Sequence, residues 1–214
     1  MPSIDRPFTV LRATGERRKV KRILCLAGLV CSAVVLVWAP GAAAGDVMCT
    51  GGPGNPLTGK IVGNVVVPAD ASCRIQGTVS GNVTALTGAA VGIRVGSTVR
   101  GNYTCTNCLF ADLHGSTISG NVLISGETDG SFIDGSTIKG NLQIDSSDAD
   151  GDAFSIGTAD LPNKIRGNLS FTNNTGPASI MNNAIAGDLT CQNNTPAPVT
   201  GGNTADKMLG QCAS

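Results

Sequence analysis

The densest set of metal-capable side chains in the sequence is Asp145-Ser146-Ser147-Asp148-Ala149-Asp150-Gly151-Asp152. Carboxylates at alternate positions can converge on Ca²⁺, a hard cation that takes several oxygen ligands. Asp145, Asp148, Asp150 and Asp152 are therefore the candidate calcium ligands, and calcium the one candidate cofactor. The stretch does not fit the helix-loop-helix calcium pattern. A loop counted from Asp148 requires Gly at 153 and Glu at 159, where the chain has Ala153 and Ala159. A solvated acidic insertion is the competing reading. Cys105-Thr106-Asn107-Cys108 has the spacing of a redox pair or half a zinc site. No helical pattern follows it, and zinc requires four ligands while His114 is the only histidine. A local disulfide is the simpler expectation. No Ser/His/Asp set can be assembled around His114 from the sequence, so no catalytic residue is assigned. Thr78, Thr98, Thr117 and Thr137 recur at similar spacing, an array of the ice-binding kind, but Arg100 and Lys139 interrupt the same face.

These residues must be positioned by a repeat. Ile or Val, any residue, Gly, Asn, an apolar residue, any residue and a further core position recur seven times. The glycines fall at 63, 81, 101, 120, 140, 167 and 187, a period near twenty with one stretched step. The stretched step contains the acidic run. The Asn positions are Asn64, Asn82, Asn102, Asn121, Asn141 and Asn168, with Asp188 in the seventh copy. Counted from each Gly, the −2, +2 and +4 residues form inward columns, whereas −1 and +3 vary freely and face water. Period-two alternation argues for short strands, not helices. A second apolar piece lies between copies: Cys73-Arg74-Ile75, Val91-Gly92-Ile93, Phe132-Ile133 and Ser179-Ile180. Two or three short strands per twenty residues make one coil of a parallel β-helix.

The expected fold is thus all-β: a single-stranded, right-handed parallel β-helix of about seven coils. Gly-Asn is expected at corners needing positive φ, with the Asn amides bonded to one another along the axis and the ladder broken at Asp188. A pentapeptide-repeat helix also has twenty residues per coil, and Leu113, Ile118 and Leu123 show its five-residue step.

Composition agrees with small coils. The 214 residues include one Trp, one Tyr and five Phe, too few for a core of large side chains, but 29 Gly. Formal charge is zero, yet residues 1–44 hold seven Lys/Arg against Asp5 and Glu16. The remainder is acidic, with no basic block for a phosphate backbone, which argues against nucleic acid. Residues 1–44 read as a signal peptide: the cluster Arg17–Arg22, the apolar run Ile23–Trp38 and Gly41-Ala42-Ala43-Ala44, with cleavage after Ala44. A retained anchor is the alternative reading; after cleavage no membrane association is expected. Residues 45–59 read as an irregular N-terminal cap, 60–192 as the repeats and 193–214 as a C-terminal cap.

The motif Ile/Val-x-Gly-Asn-Val/Leu-x-Ile, over roughly residues 60–192, resembles secreted bacterial right-handed parallel β-helix proteins and, distantly, the polymer-forming bactofilins. The resemblance implies fold and export, and no activity. Six cysteines lie beyond residue 44: Cys49, Cys73, Cys105, Cys108, Cys191 and Cys212. An even number in an exported chain argues for disulfides, and six permit 15 pairings. The favoured set is Cys49–Cys73, Cys105–Cys108 and Cys191–Cys212, because the first and last would pin irregular ends onto terminal coils. The expected role is structural or binding, outside the cell or on its surface, with a surface polysaccharide or a protein as partner. The alternative is a calcium-dependent carbohydrate-active protein built on Asp145–Asp152, with Lys139, Lys164 or Arg166 as the basic residue. Oligomeric state is left open.

Overall fold

A computed structural model describes residues 45–52, 54–150 and 152–213. The proposed signal peptide, and the cleavage point after Ala44, lie outside the described residues. Among these residues there is no helix. The chain winds through about eight turns of a β-solenoid, and every paired strand is parallel to its neighbours in the turns before and after. At about 4.8 Å per turn, the rod is roughly 38 Å long.

Each turn contributes up to three strands, so the rod has three strand columns. One column precedes the Gly-Asn step, for example Thr98–Val99, Thr117–Ile118 and Thr137–Ile138. The second follows it and stacks nine strands, among them Tyr103–Thr106, Val122–Ser125 and Leu142–Asp145. The third contains Ala90–Ile93, Phe110–His114, Ser131–Asp134, Phe154–Ile156 and Ala178–Met181. The long strand Ser72–Val79 runs from the third column into the first and joins them as one sheet.

Strand formation follows from the alternation. The −2 residues Ile61, Val79, Val99, Ile118, Ile138, Ile165 and Ile185 are buried in register, as are the +2 and +4 columns. β-Branched residues suit these positions because their stiff χ1 fits a pleated, half-buried surface. In the third column the buried residues are spaced by two, as in Cys73 and Ile75, Ala111 and Leu113, and Phe154 and Ile156. Phe132 accordingly points outward, 38% exposed, while Ser131 and Ile133 point in. Leu113 and Ile118 are buried but Leu123 lies on the outer side of its strand, so the five-residue step does not line the interior throughout.

Three expectations are corrected. The helix has about eight turns because the ends expected to be irregular continue the winding: Val47–Met48 pairs with Val65–Val67, and Met208–Gly210 with Leu189–Gln192. The Gly-Asn corner does not run on positive φ. Only Gly63 among the seven glycines has it, at 104°, whereas Asp70, Asn107, Ser146, Asn173 and Asn193 carry it at the next corner.

The third correction concerns the Asn ladder. Its rungs are not amide-to-amide: the backbone N–H of each Asn donates to the side-chain Oδ1 of the Asn one turn earlier. Asn82 donates to Asn64 at 2.9 Å, Asn102 to Asn82 at 2.8 Å, Asn121 to Asn102 at 2.8 Å and Asn141 to Asn121 at 2.9 Å. Asn168 donates to Asn141 and Asp188 to Asn168, both at 2.9 Å. Asp188 does not break this ladder, because the group it must supply is its backbone N–H. The glycine is required by the same contact. A Cβ at Gly120 would overlap Asn102 Oδ1 and the Gly101 carbonyl.

Candidate functional site

Among the described residues, the acidic insertion brings no three of its carboxylates together. Asp145 ends its strand and accepts from Thr172 Oγ1 at 2.7 Å, Asn173 Nδ2 at 2.9 Å and Ser146 Oγ at 2.9 Å. These bonds, the one from Thr172 foremost, hold its carboxyl below the usual carboxylate range. Asp148, Asp150 and Asp152 are exposed, while Ser147 and Ala149 between them are buried. The alternation turns the three carboxylates away from the core. Among the described residues no three His, Cys, Asp or Glu side chains converge as a metal set. Lys139 and Arg166 flank the Gly-Asn corner, whereas Asp145 closes the four-residue strand Leu142–Asp145 that leaves it. At about 3.3 Å per residue that strand keeps the bases well apart from the acidic run.

The six cysteines form Cys49–Cys73, Cys105–Cys108 and Cys191–Cys212, with Cα separations of 5.6, 5.6 and 5.2 Å. Cys105 and Cys108 are both fully buried in the core. Thiol exchange requires access to the attacked sulfur, so this geometry gives a structural crosslink and no exposed redox pair.

A different cluster, assembled across turns, lies on the outer side of the third column. Register places Arg74, Gly92, Asp112 and Phe132 in successive turns as one outward line. A parallel line contains Ala90 and Phe110, and a third contains His114 and Asp134 with Arg94 below them. Gly92 is the single bare position in the first line. Above it the chain leaves a shallow notch of about 150 Å³, with Arg74, Arg94, Phe110 and Asp112 among its walls. The Arg94 guanidinium lies across Gly92: a Cβ there would sit 3.4 Å from its Nε and 3.5 Å from Nη2. Arg94 Nη1 pairs with Asp112 Oδ2 at 2.6 Å, while its Nε is buried without a hydrogen-bond partner. His114 Nδ1 meets Asp134 Oδ1 at 2.5 Å on the next turn. Burial raises the Asp112 carboxyl above its ordinary value, against the opposing pull of Arg94 and then His114. Phe110 and Phe132 pack with ring centroids 5.8 Å apart at 51°. On the N-terminal side, the Cys49–Cys73 bridge and the Arg74 N–H to Gly51 carbonyl bond at 2.8 Å hold the rim.

A second feature lies inside. From Gly101 onward, the residue seven after the repeat glycine points inward at the following corner: Cys108, Glu127, Ser147, Asn174 and Asn194. Glu127 is 1% exposed. It accepts from the Ala111 N–H at 2.7 Å and from the Ser131 hydroxyl. Burial is the largest influence on it and pushes its carboxyl up to about 7. The buried Tyr103 phenol has no hydrogen-bond partner and is pushed well above its ordinary value, by burial first and then by Glu127 and Asp112.

Neither cluster was assembled from the sequence. The notch residues come from successive turns, and their relation is set by the register of the third column, which four short apolar pieces do not define. The +7 column was legible as Glu, Ser, Asn and Asn at one offset from the glycines. Comparison with protein families, with characterised proteins and with solved structures finds no match.

Proposed function

We propose that this chain is an exported, non-catalytic β-helix whose role is structural or binding, at the cell surface or outside the cell. The observation that carries the reading is the placement of the disulfides. Cys49–Cys73 ties the first strand segment to the second turn, and Cys191–Cys212 ties the chain end to the last Gly-Asp turn. Disulfides used this way persist in oxidising compartments, and closing such loops contributes about 3 kcal/mol each in the chain-entropy model. The arginine- and phenylalanine-lined notch on the third column supports the binding half of the reading. Among the described residues no helix is long and apolar enough to cross a membrane.

The test is thiol-trapping on fractionated cells. Rapid alkylation before lysis should find the protein in the external or surface fraction, with six cysteines blocked and an N-terminus at Gly45. A cytoplasmic pool with reduced Cys49, Cys73, Cys191 and Cys212 overturns the proposal.

A further inference from the structure

We infer that the outer face of the first strand column is a docking strip for a linear anionic polysaccharide. The inference rests on the binding half of the function proposed above and names its partner class, on a face separate from the notch. Register sets two outward lines there. One runs Lys60, Thr78, Thr98, Thr117, Thr137 and Lys164 in successive turns. The other lies two residues further along each turn and contains Arg100, Ser119, Lys139 and Arg166, each stacked by a bond from its N–H to a carbonyl of the turn before. The −2 residues between the lines are buried, so both lines lie on the outside of the rod.

Charge is segregated on this face. Five of the eight Lys and Arg beyond residue 44 stand on it, all exposed: Lys60, Arg100, Lys139, Lys164 and Arg166. From the turn of Lys60 to that of Arg166 neither line holds an acid, although acids outnumber bases beyond residue 44. Among the described residues the ion pairs are Arg94–Asp112 and His114–Asp134, so the protein neutralises none of these five cations. Lys139 and Arg166 stand on adjacent turns, about 4.8 Å apart at the backbone, and Lys164 is about 6.6 Å from Arg166 along its strand. Like charges this close repel, being well within a Debye length of about 10 Å, and an anion laid across them relieves the repulsion.

The form of the strip selects the partner. Lys60 and Lys164 bracket the four threonines over five turns, about 24 Å of straight, periodic surface. Threonine hydroxyls both donate and accept, which matches the hydroxyls of successive sugar rings, while the cations meet the acid groups of the chain. Neither line carries an aromatic ring, the side chain on which nucleic-acid bases stack and which seats a protein in a bilayer interface. A polyanion with polar rings and a regular repeat is the partner that fits.

The test is calorimetric titration of the purified, oxidised protein with polygalacturonate, neutral dextran, polyglutamate and phosphatidylglycerol vesicles. Polygalacturonate should bind more tightly than the other three by roughly tenfold or more, with an affinity that falls as salt is raised. Lys139→Gln/Lys164→Gln/Arg166→Gln should lower that affinity roughly tenfold or more. Its melting temperature should not change, because all three side chains are exposed and outside any ion pair. Lys207→Gln, in the last turn and off both lines, should leave the affinity unchanged. Should the triple variant fold poorly, Lys139→Glu alone puts a repelling charge at the centre of the strip and should weaken binding as much. Absence of polygalacturonate binding, or binding that survives these substitutions, overturns the strip. Equal binding of polyglutamate overturns the polysaccharide assignment, as does tighter binding of the vesicles, which makes the partner a membrane. Because thiol-trapping reads export and oxidation independently, a failed titration beside blocked external thiols removes this inference and leaves the function standing.

Discussion

The outer Gly-Asn corner and, from Gly101 onward, the buried corner seven residues after the glycine both join successive turns, and they do so in opposite ways. At the outer corner the joining atoms are the same from turn to turn: an Asn Oδ1 accepts the next Asn N–H, from Asn64 through to Asp188. These rungs are exposed, so water can satisfy whatever the ladder leaves over. One residue pair then suffices at every turn. At the buried corner no water is at hand, and each polar atom must be met by the protein. Ser147 Oγ accepts from the Glu127 N–H at 3.2 Å, and Asn174 Oδ1 accepts from the Ser147 N–H at 3.0 Å. Asn194 serves Asn174 in the same manner, and Gln211 closes the column, accepting from Asn194 N–H and Nδ2 and donating to its carbonyl. The residue type changes because its neighbours change. The comparison teaches that a repeat is kept identical where solvent forgives the remainder, and is individually fitted where solvent is excluded.

The largest effect that would break the comparison is steric. Gly120→Ala drives a Cβ into Asn102 Oδ1 and the Gly101 carbonyl, backbone that cannot move without shifting the turn. Urea denaturation should show a loss of at least about 3 kcal/mol. Wild-type stability would mean that close stacking is not what fixes the glycine.

Next comes Glu127, the one acid in the buried column. Its carboxyl in the fold lies at about 7, above the ordinary value of 4.5, so the folded state holds the proton more tightly than the unfolded chain. Stability from this group is therefore fully present below pH ~4.5 and is lost as pH rises through about 7, by roughly 3 kcal/mol in total. Glu127→Gln keeps an acceptor for Ala111 N–H and removes the charge. Denaturation series should show the Glu127→Gln variant more stable than wild type at pH 8 and about equal to it at pH 4. Parallel pH profiles for the two would place the carboxylate in contact with solvent.

Asn174→Ala leaves the Ser147 N–H without its acceptor and removes a donor from the Ile144 carbonyl. Buried and unsatisfied, these groups should cost about 2 kcal/mol. The matched exposed variant, Asn121→Ala, loses only the bond from Asn141 N–H, which water can replace. About 0.5–1 kcal/mol is expected there. Thermal unfolding of the pair side by side sharpens the comparison most directly, since equal losses would erase the distinction between the two corners.

Most of the architecture was legible in the chain. The seven Gly-Asn steps specify turn length, the −2, +2 and +4 residues specify which side chains face inward, and both follow from alternation along one strand. The acidic run was legible as residues, but the direction in which each of them points was not. Strand alternation buries Ser147 and Ala149 and leaves Asp148, Asp150 and Asp152 outside, which spacing in sequence does not reveal.

Sequence alone therefore determined the period and the inward positions beside each Gly-Asn step, because each depends on contacts repeated at constant separation; the pairing of the six cysteines was one choice among fifteen. Tertiary structure decided what constant separation leaves open: that the glycine answers to a neighbouring Asn oxygen and not to positive φ, that Glu127 is sealed inside, and that Arg94, Phe110 and Asp112 meet around a bare Gly92. Each of these depends on how one turn is set upon the next, and that register is a property of the stack.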